Sequence, residues 1–466
     1  MGGLKLGFVC LQIVLAIWGF EYGLKASGEV WDRVVATCLL FNTYAGQRWR
    51  CFKTDLTSRY LDLWEIGLSG AIPFRVGNLP FLQTLGLGGK FDLLIKDAKW
   101  LSSLSSLDTL RLSSLPFESS HHWLKSMGEL VPNLRELRLN LNNNFMESLF
   151  PNRFGNVMNS LEVLSLFYNN LHGEIPASLG HICTLRDLDL RSNNFSGKLS
   201  SFIQNSSSCN RHVFQSLQLS DNRITGMLPN LSSFTSLSLL DLSNNQLYGE
   251  IPKSIGLLQE LESLYLHENN LAGDITELHL TNLSKLKVLD LTDNSLSLKF
   301  SNTWIPPFQL FKLGLGSCKL GPSFPSWLQT QNRLNFLDIS DAEIDDFVPE
   351  WIWNKLRFIS QLNITHNNLK GTIPNLPIKL TGDPGAFIFL SSNQLEGQDH
   401  EFWNAEYILK SIDISSNELT GEIPKELGYL LELVSLNLSR NNLSREIPRE
   451  IGNLDSLDSD WWNIYF

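Results

Sequence analysis

The sequence predicts an α/β solenoid rather than a set of closed globular domains. Three observations predict it: leucines recurring in a fixed local pattern about every two dozen residues, an asparagine three positions after the last leucine of most patterns, and a glycine-x-isoleucine-proline signature in the second half of many repeats. A chain of 466 residues would otherwise suggest several domains. A core built by stacking never closes on itself, so length does not limit the number of coils.

The pattern L-x-x-L-x-L ends at Leu63, Leu87, Leu112, Leu139, Leu166, Leu190, Leu219, Leu242, Leu266, Leu291, Leu315, Ile339, Ile364, Leu390, Ile414 and Leu438. The steps are mostly 23 to 27 residues, the period of leucine-rich repeats. The expected fold is a right-handed leucine-rich-repeat superhelix of about 16 repeats, with a parallel β-sheet on the concave side and short helical turns on the convex side. Asparagines follow at positions 169, 193, 222, 245, 269, 294, 367, 393, 417 and 441. Where the chain leaves a strand and turns inward, such an amide can bond main-chain groups that would otherwise be unpaired. Cys318 occupies the same position and reads as a member of this ladder rather than a reactive thiol. The segments Leu171–Pro176, Leu247–Pro252 and Leu419–Pro424 carry the glycine and proline. Glycine permits the bend, and proline fixes the returning arm without needing a donor. A helical turn is expected over Lys425–Gly428.

Residues 1–27 read as a signal peptide: Lys5 precedes the apolar stretch Leu6–Phe20, and small residues follow at Ala26 and Ser27. That stretch falls short of the roughly 20 residues a membrane span needs. Residues 28–58 read as a partial N-terminal cap, 59–457 as the solenoid and 458–466 as a divergent end, where Asp460 falls on a core position. An unpaired carboxylate there argues against another coil. No other window is apolar enough to span a membrane, so no transmembrane anchor is expected. Of six cysteines, Cys10 lies in the leader; Cys38 with Cys51 and Cys183 with Cys209 are candidate disulfides if the compartment is oxidising.

A net charge of -11, spread thinly, argues against nucleic acid as a partner, because phosphate binding needs clustered cations. The chain lacks the zincin, paired-cysteine, nucleophile-elbow, phosphate-loop and kinase signatures, so no catalytic residue, cofactor or metal site is expected. His121-His122 has no carboxylate or cysteine cluster nearby and reads as solvated surface. Function is expected on the outward strand positions, since side chains alternate across a strand. The candidate ligand-binding residues are Phe167, Tyr168, Asp187, Asp189, Arg191, Tyr265, His267 and Glu268. The aspartates of Leu-Asp-Leu strands repeat with the fold and do not read as a catalytic pair. The segment from Asn205 to His212 lengthens one repeat, either adding contacts or holding Cys209 near Cys183. Glycosylation sequons stand at Asn194, Asn205, Asn230, Asn282, Asn363, Asn437 and Asn442.

Over residues 49–457 the chain resembles the ectodomain of plant leucine-rich-repeat receptor-like proteins, particularly the group of fungal-xylanase receptors. The segments Trp100–Leu107, Trp304–Leu310 and Val348–Asn354 carry the more specific part of the likeness. The resemblance implies perception of a microbial or endogenous protein or peptide ligand at the outer face of the plasma membrane, with signalling through a partner receptor kinase. A chain complete as written would instead be secreted into the apoplast. Two alternatives stay open: a secreted protein similar to inhibitors of fungal polygalacturonase, and a truncated fragment that does not signal. The short cap, with only Cys38, Trp49 and Cys51 matching, and the divergent end depart from the family pattern.

Overall fold

In the computed structural model the described residues are 37–43, 48–54, 59–70, 79–91, 99–113, 123–140, 148–206, 209, 213–373, 385–397, 409–444 and 446–457. The expected signal peptide, His121-His122 and the divergent end lie outside them. The chain divides into two compact units: Met1–Ser196 with Ser201–Arg211, and Gly197–Ser200 with His212–Phe466.

In the first unit, the strands Tyr60–Gly70, Thr84–Phe91, Thr109–Ser113, Glu136–Asn140, Val163–Ser165 and Asp187–Asp189 pair in parallel, each with the next. Ahead of them, Thr37–Thr43 and Arg48–Thr54 form an antiparallel hairpin that sets Cys38 across from Lys53 and Cys51 across from Leu40. The side chains of that hairpin lie outside the described residues, and with them the Cys38–Cys51 pairing. In the second unit, ten strands follow the same rule, from Ser216–Gln218 and Leu239–Asp241 to Leu409–Asp413 and Ser435–Asn437. Every leucine pattern read from the sequence therefore falls within or directly after a strand of the parallel pairing, the strands at Leu63 and Leu87 running on to Gly70 and Phe91. The fold is an α/β leucine-rich-repeat solenoid.

Each coil is closed by its buried leucines, such as Leu264, Leu266 and Leu271, which stack on their counterparts in neighbouring coils. Truncating one to alanine would cost about 2–5 kcal/mol. The asparagine ladder adds directional bonds. Asn245 donates through Nδ2 to the carbonyls of Leu219 (3.0 Å), Leu242 (3.2 Å) and Ser243 (3.0 Å), and its Oδ1 accepts the amide of Ile224 (2.9 Å). One buried amide thus satisfies four main-chain groups in two coils. The ladder lapses in two successive coils. The Cys318 thiol donates to the carbonyl of Leu291 (3.4 Å), and its burial pushes it up to about 12. At Ala342 the backbone takes over, its carbonyl accepting the amides of Leu320 (3.0 Å) and Gly321 (3.1 Å). Cys318 therefore fills a ladder position as an inert, buried thiol.

A second row of short strands leaves many of the described coils on one flank, as at Gln246–Gly249 and Asn270–Thr276. Here the signature glycine meets two demands. Gly249 has φ 81°, a left-handed conformation that side chains disfavour, and a Cβ there would press on Met227 of the preceding coil. Prolines 176, 252, 424 and 448 then hold the extended residue before short 3-10 turns, including Lys425–Tyr429 where a helical turn is expected.

In the first unit Cys183 and Cys209 form a disulfide, with Cα atoms 5.3 Å apart. It ties the lengthened segment back to the turn at Gly180, whose carbonyl lies 3.6 Å from the Cys209 sulfur.

Candidate functional site

The candidate residues fall on two strand faces, one in each unit. On the first, Phe167 and Tyr168 follow the strand Val163–Ser165, and Asp187, Asp189 and Arg191 lie on the next coil. Tyr168 is exposed and sits at φ 62°, the strand-exit position just before a ladder asparagine. Its amide donates to the Arg191 carbonyl at 2.9 Å. Arg191 grips Asp189 with two parallel bonds, Nε to Oδ1 and Nη2 to Oδ2, both 2.9 Å. This geometry commits both charges to each other. Burial pushes Asp187 above the usual carboxylate range, against the pull of Arg138 and Arg186.

The same face carries a chain of ion pairs absent from the candidate set. Arg111 bonds Glu136 (2.7 Å) and reaches across Gly86 to Asp62 (3.2 Å), and Arg138 bonds the same Glu136 oxygen (2.7 Å). A Cβ at Gly86 would collide with the Asp62 carboxylate, so the glycine leaves room for that bridge. Burial alone would raise Glu136, but the hydrogen bonds from Arg111 and Arg138 prevail and hold it below the usual range. The Glu136 hydrogen bond, in turn, raises Arg111. Such pairs on a solvated face contribute little individually, about 0–1 kcal/mol, but they leave few charges uncommitted.

The second face is different in kind. Tyr265, His267 and Glu268 lie on one coil, with Tyr265 and His267 in edge-on contact at 6.2 Å between centroids. Glu268 is exposed at φ 52°. Strand register runs Ser263, Val288, Lys312, Phe336, Gln361 and Phe387 along one outward column, and Tyr265, Asp290, Gly314, Asp338, Asn363 and Phe389 along the next. Lys312 leans across these columns. Its ammonium is 2.9 Å from Asp290, 4.9 Å from the centre of the Phe336 ring and 5.5 Å from that of Tyr265. His267 Nδ1 stands 3.6 Å from the same Asp290 oxygen, too far for a hydrogen bond. Lys312, Asp290, Phe336, Phe387 and Phe389 were not among the candidates. Their outward, period-two positions were visible in the sequence, but the diagonal reach that gathers them was not.

The repeating strand aspartates have a local role. Asp241, Asp338 and Asp413 each accept the backbone amide (2.9–3.2 Å) and hydroxyl (2.6–2.7 Å) of the serine two residues on. This is the strand-exit turn that short polar side chains make with their own backbone. Asn363 and Asn437 do the same with Thr365 and Ser439, and their Nδ2 groups donate to Asp338 (3.0 Å) and Ser415 (3.1 Å). Both sequons thus sit outward on the strand face with their amides engaged. Asn230, Asn282 and Asn442 are exposed. Farther along the second face lies a depression of about 400 Å³ lined by Phe389, Asp413, Val434, Leu436 and Asn437 among others. Among the described residues no group of three His, Cys, Asp or Glu side chains is placed to hold a metal ion, and no helix is long and apolar enough to cross a membrane.

Known proteins share this architecture. The Leucine Rich Repeat family model matches residues 160–182, 184–206, 236–258, 409–430 and 432–454. Receptor-like protein EIX1 of Solanum lycopersicum is 31% identical over 440 residues, spanning 68% of this chain and 42% of that protein. Receptor-like protein EIX2 of the same species is 32% identical over 370 residues, spanning 64% and 35%. The chain therefore spans less than half the length of these relatives. Among solved structures, PEPR1–AtPEP1 overlays with a TM-score of 0.62 at 28% identity, covering 84% of this chain and 53% of that one. The plant peptide hormone receptor RGFR1 in complex with RGF2 gives 0.57 at 26% identity, covering 85% and 73%. The coil geometry and these likenesses together make the chain a plant leucine-rich-repeat protein of the receptor-like family.

Proposed function

We propose that the chain recognises a polypeptide ligand outside the cell through its outward strand faces, and that the signal passes through a partner receptor kinase. The observation that carries this reading is the second face, where aromatic rings and carboxylates stand outward in register on a rigid ladder-bonded sheet. Rigid aromatic anchors beside charges suit recognition, because little side-chain freedom is lost on binding. Relatives named receptor-like proteins and structural neighbours solved with peptides, PEPR1 with AtPEP1 and RGFR1 with RGF2, support the same reading. The chain is read as non-catalytic, since the strand aspartates are engaged in their own turns. The contact set comprises Phe167, Tyr168, Asp187, Asp189, Arg191, Tyr265, His267 and Glu268. Glycans are expected at the sequons Asn194, Asn205, Asn230, Asn282, Asn363, Asn437 and Asn442, of which Asn230, Asn282 and Asn442 are exposed.

Photo-crosslinking tests this. The full chain, secreted from a plant host, would carry a photoreactive residue at Tyr168, Tyr265 or the flank residue Tyr248, and be exposed to microbial culture filtrates and apoplastic fluid. Crosslinks to a polypeptide from positions 168 or 265, but not 248, support strand-face recognition. Crosslinks from 248 alone, or from none of the three, contradict it.

A further inference from the structure

We infer that the strand face of the second unit takes an extended, basic polypeptide segment, whose Lys or Arg side chains lie among its aromatic rings and carboxylates. The inference rests on strand-face recognition and adds the chemistry of the partner. Three observations point to it.

First, the face already holds a cation in the manner proposed. Lys312 crosses from its own column to lie against the rings of Tyr265 and Phe336 and the carboxylate of Asp290. An aromatic face attracts an ammonium or guanidinium through its quadrupole, and a neighbouring carboxylate adds to the pull. The chain's own lysine thus reports what this surface binds.

Second, the charge left over is negative. Lys312 answers Asp290, but Glu268 and Asp341 stand exposed at the strand exits with no cation paired to them among the described residues. Asp293, between them, is exposed, and its carboxylate accepts the Ser317 hydroxyl at 2.9 Å. Phe387 and Phe389 continue the aromatic surface two strands beyond Phe336, with ring centres 6.5 Å apart. Rings interleaved with unanswered carboxylates complement a segment whose cations alternate with apolar residues.

Third, the middle coil presents oxygens. Gly314 and Gly316 occupy successive outward positions between Asp290 and Asp338, and Asp290 Oδ1, Thr292 Oγ1 and Ser340 Oγ close over both glycines, which are buried. Standing where side chains would otherwise be, these oxygens can accept from a ligand's amides or cations.

Calorimetric titration of the full secreted chain tests the inference, with two linear dodecapeptides as probes: one alternating arginine with valine, the other with glutamate in place of arginine. The arginine peptide should bind and weaken as salt rises. Phe336→Ala with Glu268→Gln should weaken it about tenfold or more, while Tyr248→Ala on the flank should not matter. Lys312→Met removes the competing cation and should tighten binding about threefold to tenfold. Preference for the glutamate peptide, loss of affinity in Lys312→Met, or no binding of either peptide would each overturn the inference. Thermal melting checks that every variant is folded. Strand-face recognition fails separately, if ligands crosslink at Tyr248 and never at Tyr168 or Tyr265.

Discussion

The strand faces of the two units rise from the same coil, yet their outward side chains are left with different work. On the first, Asp62, Arg111, Glu136 and Arg138 bond in series, and Asp189 and Arg191 close on each other. On the second, one lysine gathers two rings and a carboxylate, while aromatic and acidic neighbours stay open to solvent. A solenoid fixes where outward positions fall, and the identity of each residue decides whether its charge is spent inside the protein or offered to a partner.

The largest effects should come from what the two faces share. Asn193→Ala in the first unit and Asn269→Ala in the second each strip one amide from several main-chain carbonyls. Each should cost about 2–4 kcal/mol, because buried main-chain groups lose their partners. Cys318→Ala removes one weak bond and should cost about 1 kcal/mol. Calorimetric melting of the three variants orders them; a Cys318 loss equal to that of the asparagines would mean the ladder is not the common framework.

Next in size is Glu136→Gln, which weakens two arginine contacts on the first face and should cost about 1 kcal/mol at neutral pH. The sign with pH follows from the lowered Glu136 value. Its contribution is full above the ordinary 4.5 and is lost as pH falls through the lower folded value. The gap between wild type and variant should therefore shrink in acid. Asp187, raised by burial, runs the other way: its charged form is a cost that acid relieves. Melting temperatures of wild type, Glu136→Gln and Asp187→Asn across that range separate the two.

Comparable in size, Lys312→Met should cost about 1 kcal/mol of stability on melting, because it leaves the buried Asp290 carboxylate without its partly exposed lysine. Its larger effect belongs to binding, and a loss of several kcal/mol would place Lys312 with the self-satisfied charges of the first face. Asn363→Asp keeps the turn that Asp338 makes one coil earlier but sets a second carboxylate where the Asn363 amide donated to Asp338, and should cost about 1 kcal/mol at neutral pH. A loss that persists unchanged in acid, where one carboxylate is protonated, would show that the turn and not the repulsion is at stake.

Much of this architecture is legible in the sequence, because leucine stacking and the asparagine ladder act through residues a fixed distance apart. Cys318 was readable as a ladder member for that reason. The flanking strands were not anticipated: the glycine was read for its bend, while the second reason for it, Met227 lying over Gly249, spans two coils. The candidate face was legible only as a set of outward positions. That Asp189 and Arg191 neutralise each other, and that Lys312 reaches diagonally to Tyr265, depends on side-chain reach across strands, which periodicity does not encode.

Hydroxyl-radical footprinting of the full chain, with and without the arginine peptide, tests the contrast between the faces most directly, since rings report their own solvent contact. Protection at Tyr265, Phe336 and Phe389, with Phe167, Tyr168 and the flank residues Met227 and Tyr248 unchanged, is the predicted result. Protection confined to Phe167 and Tyr168, or to the flank, would contradict it.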